Sequence, residues 1–353
     1  MTRLRPTTTP RHTILTCALL SLIATATLLF TASCSKPAPP TVVVYTALDR
    51  TFSEPILKRF EEKTGIIVHV KYDTESTKTV GLVNTIRAEK NRPRCDVFWN
   101  NEIVNTIRLK NEGLLQPHQS QAALDFPRKY RDPKGYWFGF AARARVLLVN
   151  TDIVDDQNMP DSIVSLADKR WLGQTGIAKP LFGTTATHAA CLFASLGTNE
   201  AASYFRAIKK NEVKVLQGNR TVAAAVAAGQ IAFGLTDTDD AVAELEAQAP
   251  VRMIYPDSVP PFPGVLYIPN TLSLVAQCPN PENGRKLIEY LLSPPVEKAL
   301  AMSKSCQIPL NPKVDIVSMI RTPAEVHNME VDFEKAARHF DDAAAFIEKE
   351  FLE

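Results

Sequence analysis

Thr236, Asp237, Thr238, Asp239 and Asp240 put three carboxylates and two hydroxyls into a single turn. Like charges this close repel unless a positive group or water separates them. Capping of a following helix would use only one or two of the five. Ile231, Phe233 and Leu235 alternate with small residues before the turn, and an alanine-rich helical pattern follows it. Strand, polar turn and helix start is the arrangement in which open α/β sheets hold ligands, beyond the carboxyl ends of their strands. Part of Asp237, Thr238, Asp239 and Asp240 is therefore expected to face a ligand. A second candidate is Gly183-Thr184-Thr185-Ala186-Thr187-His188 at the start of another helical pattern. Free N–H donors, the helix dipole and hydroxyls make such a start a seat for an anion, and ordinary capping by Thr184 or Thr185 is the alternative. Asn219 opens a further helix. Arg143 and Arg145 stand two apart in the extended run Phe138–Asn150 and share one face if that run is a strand.

The elements that would position these groups repeat a simple order. Thr41–Tyr45, Ile66–Tyr72 and Cys95–Trp99 read as strands, each followed by a polar tip and a helical pattern. The tips are Thr46–Arg50, Asp73–Thr77 and Asn100–Glu102. A parallel, doubly wound sheet places all three on one edge, so Thr46, Asp49, Thr74, Asn101 and Glu102 join the candidate ligand contacts. The first helix is predicted from Pro55 to Lys63 and the second to about Lys90. Phe138–Asn150 is a crossover into a second α/β lobe, and Val265–Ala276, read as two short strands, is the return. Two lobes joined by two crossings enclose a cleft suited to closing around a small solute. The first lobe is expected to comprise residues 41–143 and 268–315, and the second 144–267 and 316–353. Trp99 and Trp137 either flank the cleft or pack in the core. His188 is the one histidine near a candidate site, with packing as its alternative role.

Residues 1–33 read as an export signal, with Arg3, Arg5 and Arg11 before the uncharged run Ile14–Phe30. Thr31-Ala32-Ser33-Cys34-Ser35 resembles a bacterial lipoprotein processing site with Cys34 lipidated, and residues 34–40 would then tether the fold to a membrane. Simple secretion and an uncleaved anchor are the alternatives. Without the leader, 37 bases stand against 38 acids, and no basic stripe suggests nucleic acid. Cys95, Cys191, Cys278 and Cys306 lack metal-like spacing. Buried thiols are the default, and export would permit a Cys278–Cys306 bridge.

From Val42 to Val314 the sequence resembles the periplasmic solute-binding proteins of the ferric-iron-binding type, which feed ABC importers. The likeness rests on VVVYTALDR, FEEKTGIIVHV, DVFWNNE, GLL after a helix, FAARARVLLVNTD, PLFGTTATHA, AAGQIAFGLTD, PNPENGRKLIEYLLS and IPLNP in that order. It implies an α/β fold of two doubly wound lobes joined by two crossover strands, the type II periplasmic binding protein. It also implies a monomer that delivers cargo to an inner-membrane permease and does no chemistry itself. In the iron-binding members a histidine follows the first strand, a glutamate the third, and two tyrosines the strand matching Ile231–Leu235. Asp49 takes the histidine's place, Asn101 or Glu102 the glutamate's, and Asp239 and Asp240 the tyrosines'. Ferric iron accepts hard oxygen ligands, so Asp49, Glu102, Asp239 and Asp240 are the metal candidates. The expected cargo is iron, alone or with a companion anion, and no resident cofactor is expected. The family's anion site matches Gly183, Thr184 and Thr185, with Asn219 and Asp237 nearby. A phosphonate or phosphorylated sugar resting there and on Arg143 or Arg145 is the alternative cargo. In the family these arginines also brace the crossover by pairing with acids.

Two other classes compete. The carboxylates could serve a metal-dependent hydrolase, but the chain lacks H-E-x-x-H, G-x-S-x-G and a Walker loop. A surface adhesion protein would leave the cluster around Asp239 and Asp240 without a purpose.

Overall fold

β-Branched residues build the first strand, β1 (Thr41–Thr46), and an arginine-led helix, α1 (Arg50–Thr64), follows it. The helix starts five residues before Pro55, earlier than predicted, and carries the proline in its interior. It stops at Gly65, whose φ of 71° suits a residue without Cβ and whose N–H donates to the Glu61 carbonyl at 2.8 Å. In chain order come β2 (Ile67–Tyr72), α2 (Val80–Ala88), β3 (Val97–Asn100), α3 (Val104–Asn111), β4 (Leu115–Gln116) and β5 (Phe138–Asn150). Next are β6 (Thr175–Ala178), α4 (Gly183–Leu196), α5 (Thr198–Lys210), β7 (Lys214–Leu216), α6 (Asn219–Ala227), β8 (Phe233–Asp237), α7 (Thr238–Glu246) and β9 (Val251–Ile254). The remainder is β10 (Tyr267–Val275), α8 (Pro281–Leu291), α9 (Pro294–Ala301) and α10 (Phe333–Phe346). The computed structural model describes residues 1–2, 39–73, 80–258, 263–316 and 320–353. Residues 3–38, which hold nearly all of the leader, Cys34 and most of the tether, lie outside the described residues, as does Thr74.

The first sheet runs β2-β1-β3-β10-β5, with β1 parallel to both β2 and β3, and β10 antiparallel to β3 and β5. The second runs β9-β5-β8-β6-β7, with β6, β7 and β8 parallel. β5 belongs to both. Phe138–Ala144 pairs with β10, and Arg145–Asn150 pairs with β8 and β9. All thirteen residues of β5 and all nine of β10 are buried, which is why these strands read as near-continuous apolar runs. The return is one strand rather than two, with a register shift between Ile268 and Asn270. Fold class and crossover are as the resemblance implies.

β5 turns sharply at Ala141, whose φ of 44° lies in the left-handed region that side chains resist. Its neighbours hold it there: the Ala141 N–H donates to Glu297 Oε1 at 2.6 Å, and the Asn270 amide donates to its carbonyl. Trp99 and Trp137 are buried in the core, and Trp99 stacks tilted on Phe140 at 5.7 Å. Cys95, Cys191, Cys278 and Cys306 are free thiols, so the conceivable 278–306 bridge is not made. The C-terminal helix α10 packs on both α3 and α4, and so touches elements on either side of the crossover.

Candidate functional site

Strand register brings the first charges together. β5 and β8 run antiparallel with Arg145 opposite Asp237, so the two side chains leave the sheet side by side. Arg145 Nη1 donates to Asp237 Oδ1 at 2.6 Å, and both groups are almost fully buried. Asp237 takes the position before α7, yet its carboxylate makes no capping bond. It turns instead to Thr184 Oγ1, which donates to Oδ2 at 2.6 Å, and to Asn219 Nδ2, which donates at 3.0 Å. Thr185 Oγ1 donates to Asn219 Oδ1 at 3.2 Å, closing the network. Asn219 can reach this point because α6 lies tight on the sheet. A Cβ on Gly234 would stand 2.5 Å from the Val222 methyl and 2.8 Å from the Gly176 carbonyl.

Arg143, two residues earlier on β5, donates from Nε to Asp239 Oδ2 at 2.7 Å and from Nη1 to the Asn101 carbonyl at 3.3 Å. Burial works against its charge, but Asp239, Asp237 and Asp49 outweigh that and push its pKa up. Asp239 Oδ1 is buried and accepts no hydrogen bond. Asp239 and Asp240 occupy the first turn of α7, where the helix dipole favours negative charge. Ligand atoms of Asp237, Asp239 and Asp240 lie within 4.8 Å of one another.

These groups line a cavity of about 260 Å³ with Asp49, Asn101, Arg143, Gly183, Thr184, Thr185 and Asn219. A neighbouring space of about 470 Å³ shares Asp49, Asp239 and Asp240 and adds Phe52, Lys304 and Ser305. Asp49, Asp239 and Asp240 thus face the same cavity as Gly183, Thr184, Thr185 and Asn219. Lys179 and Arg220 also line the first cavity and were not expected there. For Arg220 a signal existed, since it sits beside Asn219 at the helix start. For Lys179, between β6 and the turn, none did.

Three expected contacts stand elsewhere. Glu102 is fully buried and away from the cavity wall. Its carboxylate accepts from Asn100, from the Asn105 N–H at the start of α3, and from Thr187 Oγ1 at 2.8 Å, so its oxygens are engaged inside the protein. Burial pushes its pKa up against these bonds. Thr46 is buried, its Oγ1 accepting from the Leu48 N–H, and Thr238 Oγ1 accepts from the Ala144 N–H at 3.2 Å. Short hydroxyl side chains beside turns bond the nearest backbone donor in preference to reaching a ligand. His188 is buried, and burial with the nearby Arg145 pushes its pKa down to about 3.

Residues 56–326 match the family model described as bacterial extracellular solute-binding protein. Iron uptake protein A1 of Synechocystis is 26% identical over 284 residues, covering 77% of this chain and 78% of the relative. Iron-bound HitA from Pseudomonas aeruginosa shares the fold with a TM-score of 0.77 at 22% identity, covering 87% of this chain and 99% of its own. AfuA from Actinobacillus pleuropneumoniae, solved with fructose-6-phosphate bound, also gives 0.77, at 21% identity, covering 89% and 99%. With two sheets sharing a crossover strand and a polar cavity at their junction, this chain belongs to the bacterial extracellular solute-binding protein family.

Proposed function

We propose that this protein is the solute receptor of an ABC importer and that its cargo is ferric iron, held by Asp49, Asp239 and Asp240. The carrying observation is Asp239 Oδ1, a buried carboxylate oxygen without a hydrogen bond at the edge of a three-carboxylate cluster. An acceptor left this way costs about 1–3 kcal/mol, which a hard cation would offset. The iron-related names of the relatives agree with this reading. The protein would act outside the cytoplasm, anchored through Cys34, as a monomer that closes on its cargo, hands it to a permease and catalyses nothing. No phenolate faces the metal in this set, so no tyrosinate charge-transfer band accompanies loading.

A phosphorylated solute is the second reading, and Lys179 and Arg220 on the same wall favour it. Titration of the purified chain with ferric ion from a weak chelate separates the two, with metal analysis and small-angle scattering on the same sample. One iron per chain and compaction are expected. Saturable compaction by a sugar phosphate with no iron retained would replace the iron reading.

A further inference from the structure

The donors gathered at the start of α4 look like an anion seat, and the protein already fills it. Arg145, Thr184 and Asn219 all donate to one carboxylate, Asp237, at 2.6, 2.6 and 3.0 Å. Three donors from three separate elements converging on two oxygens is the coordination expected of a bound oxyanion. Asp237 supplies those oxygens from the end of β8, and Arg145, almost wholly inaccessible, has its counter-charge there. We propose that Asp237 is the resident anion of this seat and the residue that excludes phosphate and phosphorylated solutes from the cavity. A soluble phosphate would have to displace a tethered carboxylate, whose effective concentration is set by the strand that carries it. It would also approach Asp239 and Asp240 within the same cluster. The inference rests on the solute-receptor reading of the cavity and narrows its ligand class to cations that arrive without an oxyanion.

The test uses the full chain free of metal and inorganic phosphate as probe, with chloride at matched ionic strength. Wild type should show no calorimetric phosphate binding and a melting temperature that does not move with phosphate. Asp237→Ser vacates the seat and leaves Arg145 without its counter-charge, held only by Thr184, Thr185 and Asn219, so phosphate should bind at least about tenfold more tightly than to wild type and raise the melting temperature. Adding Thr184→Ala to that variant should weaken the acquired binding, which places it in the seat. Should Asp237→Ser not fold, Asp237→Asn keeps the shape without the charge, and phosphate should raise its melting temperature relative to chloride. Phosphate binding by wild type in the cavity, or absence of any phosphate response in both variants, overturns the proposal. Ferric loading of wild type is scored separately: its failure would remove the iron reading and leave the phosphate comparison intact.

Discussion

Asp239 and Asp240 both present carboxylates to the cavity. Asp239 shares its charge with Arg143 at 2.7 Å, and both carboxylates line the cavity from the first turn of α7. Asp240→Asn is expected to lower ferric affinity by at least about tenfold, because it removes one carboxylate charge from the cavity wall. Asp239→Asn should lose affinity too, and also about 1–3 kcal/mol of stability, because Arg143 keeps its charge in a nearly buried place. Competition with a chelator reads the first quantity and the urea midpoint the second. Ferric affinity unchanged in both variants would contradict the proposed ligand set. His188 sets a pH response. Its folded pKa, near 3, lies below the ordinary histidine value, so its contribution to stability is fully present above about pH 6.5. That contribution is lost as pH falls from there towards 3. His188→Gln should flatten this acid limb, by about 5 kcal/mol in the limit of complete titration. Urea midpoints of wild type and variant between pH 7 and pH 4 check it.

At the scale of elements, the crossover β5 is held in an unfavourable bend by a buried acid. Glu297, at the fourth residue of α9, accepts from the N–H groups of Ala141, Leu310 and Asn311, tying β5 to the loop after α9. Burial pushes its pKa up, and the three backbone donors pull the other way. A glutamine would aim an NH₂ group at donors that need an acceptor. Glu297→Gln should therefore cost about 2–4 kcal/mol, from buried N–H groups left unmatched. Chemical denaturation measures this, and a cost below about 0.5 kcal/mol would show that the bend holds without the acid. Glu102 plays a comparable part at the start of α3, which explains why a glutamate in a ligand-like sequence position is absent from the cavity wall.

At the scale of the whole molecule, the helix α10 packs against both α3 and α4. α10 lays Phe333, Ala336, Ala337, Phe340 and Ala343 against α3 and α4. Arg108 pairs with Asp341 at 2.5 Å and lies over the Phe340 ring at 4.4 Å, and Lys110 pairs with Glu334 at 2.5 Å. The helix thus buries its apolar face on elements that follow strands of both sheets. Phe340→Ala should lower stability by about 3–5 kcal/mol, as for other buried aromatics, while Arg108→Ala should cost only about 1 kcal/mol, since its partner is exposed. Thermal and urea unfolding of the two variants check the ranking.

The amino-acid sequence by itself determined the alternation of strand, polar tip and helix, the long buried crossover and the acidic turn. These are local patterns of period, charge and breaker residues, and they survive without knowledge of any neighbour. Gly183, Thr184, Thr185, Asn219, Asp49 and Asp239 were legible as neighbours around one cavity because each lies at the end of an element whose direction the pattern implies. Tertiary structure alone decided which polar groups were already satisfied. Asp237 meets Arg145 only through strand register, and Glu102 meets Thr187 only because α3 and α4 lie side by side. A buried charge is partnered from wherever the fold brings a donor, and sequence spacing carries no record of contacts made 85 residues apart.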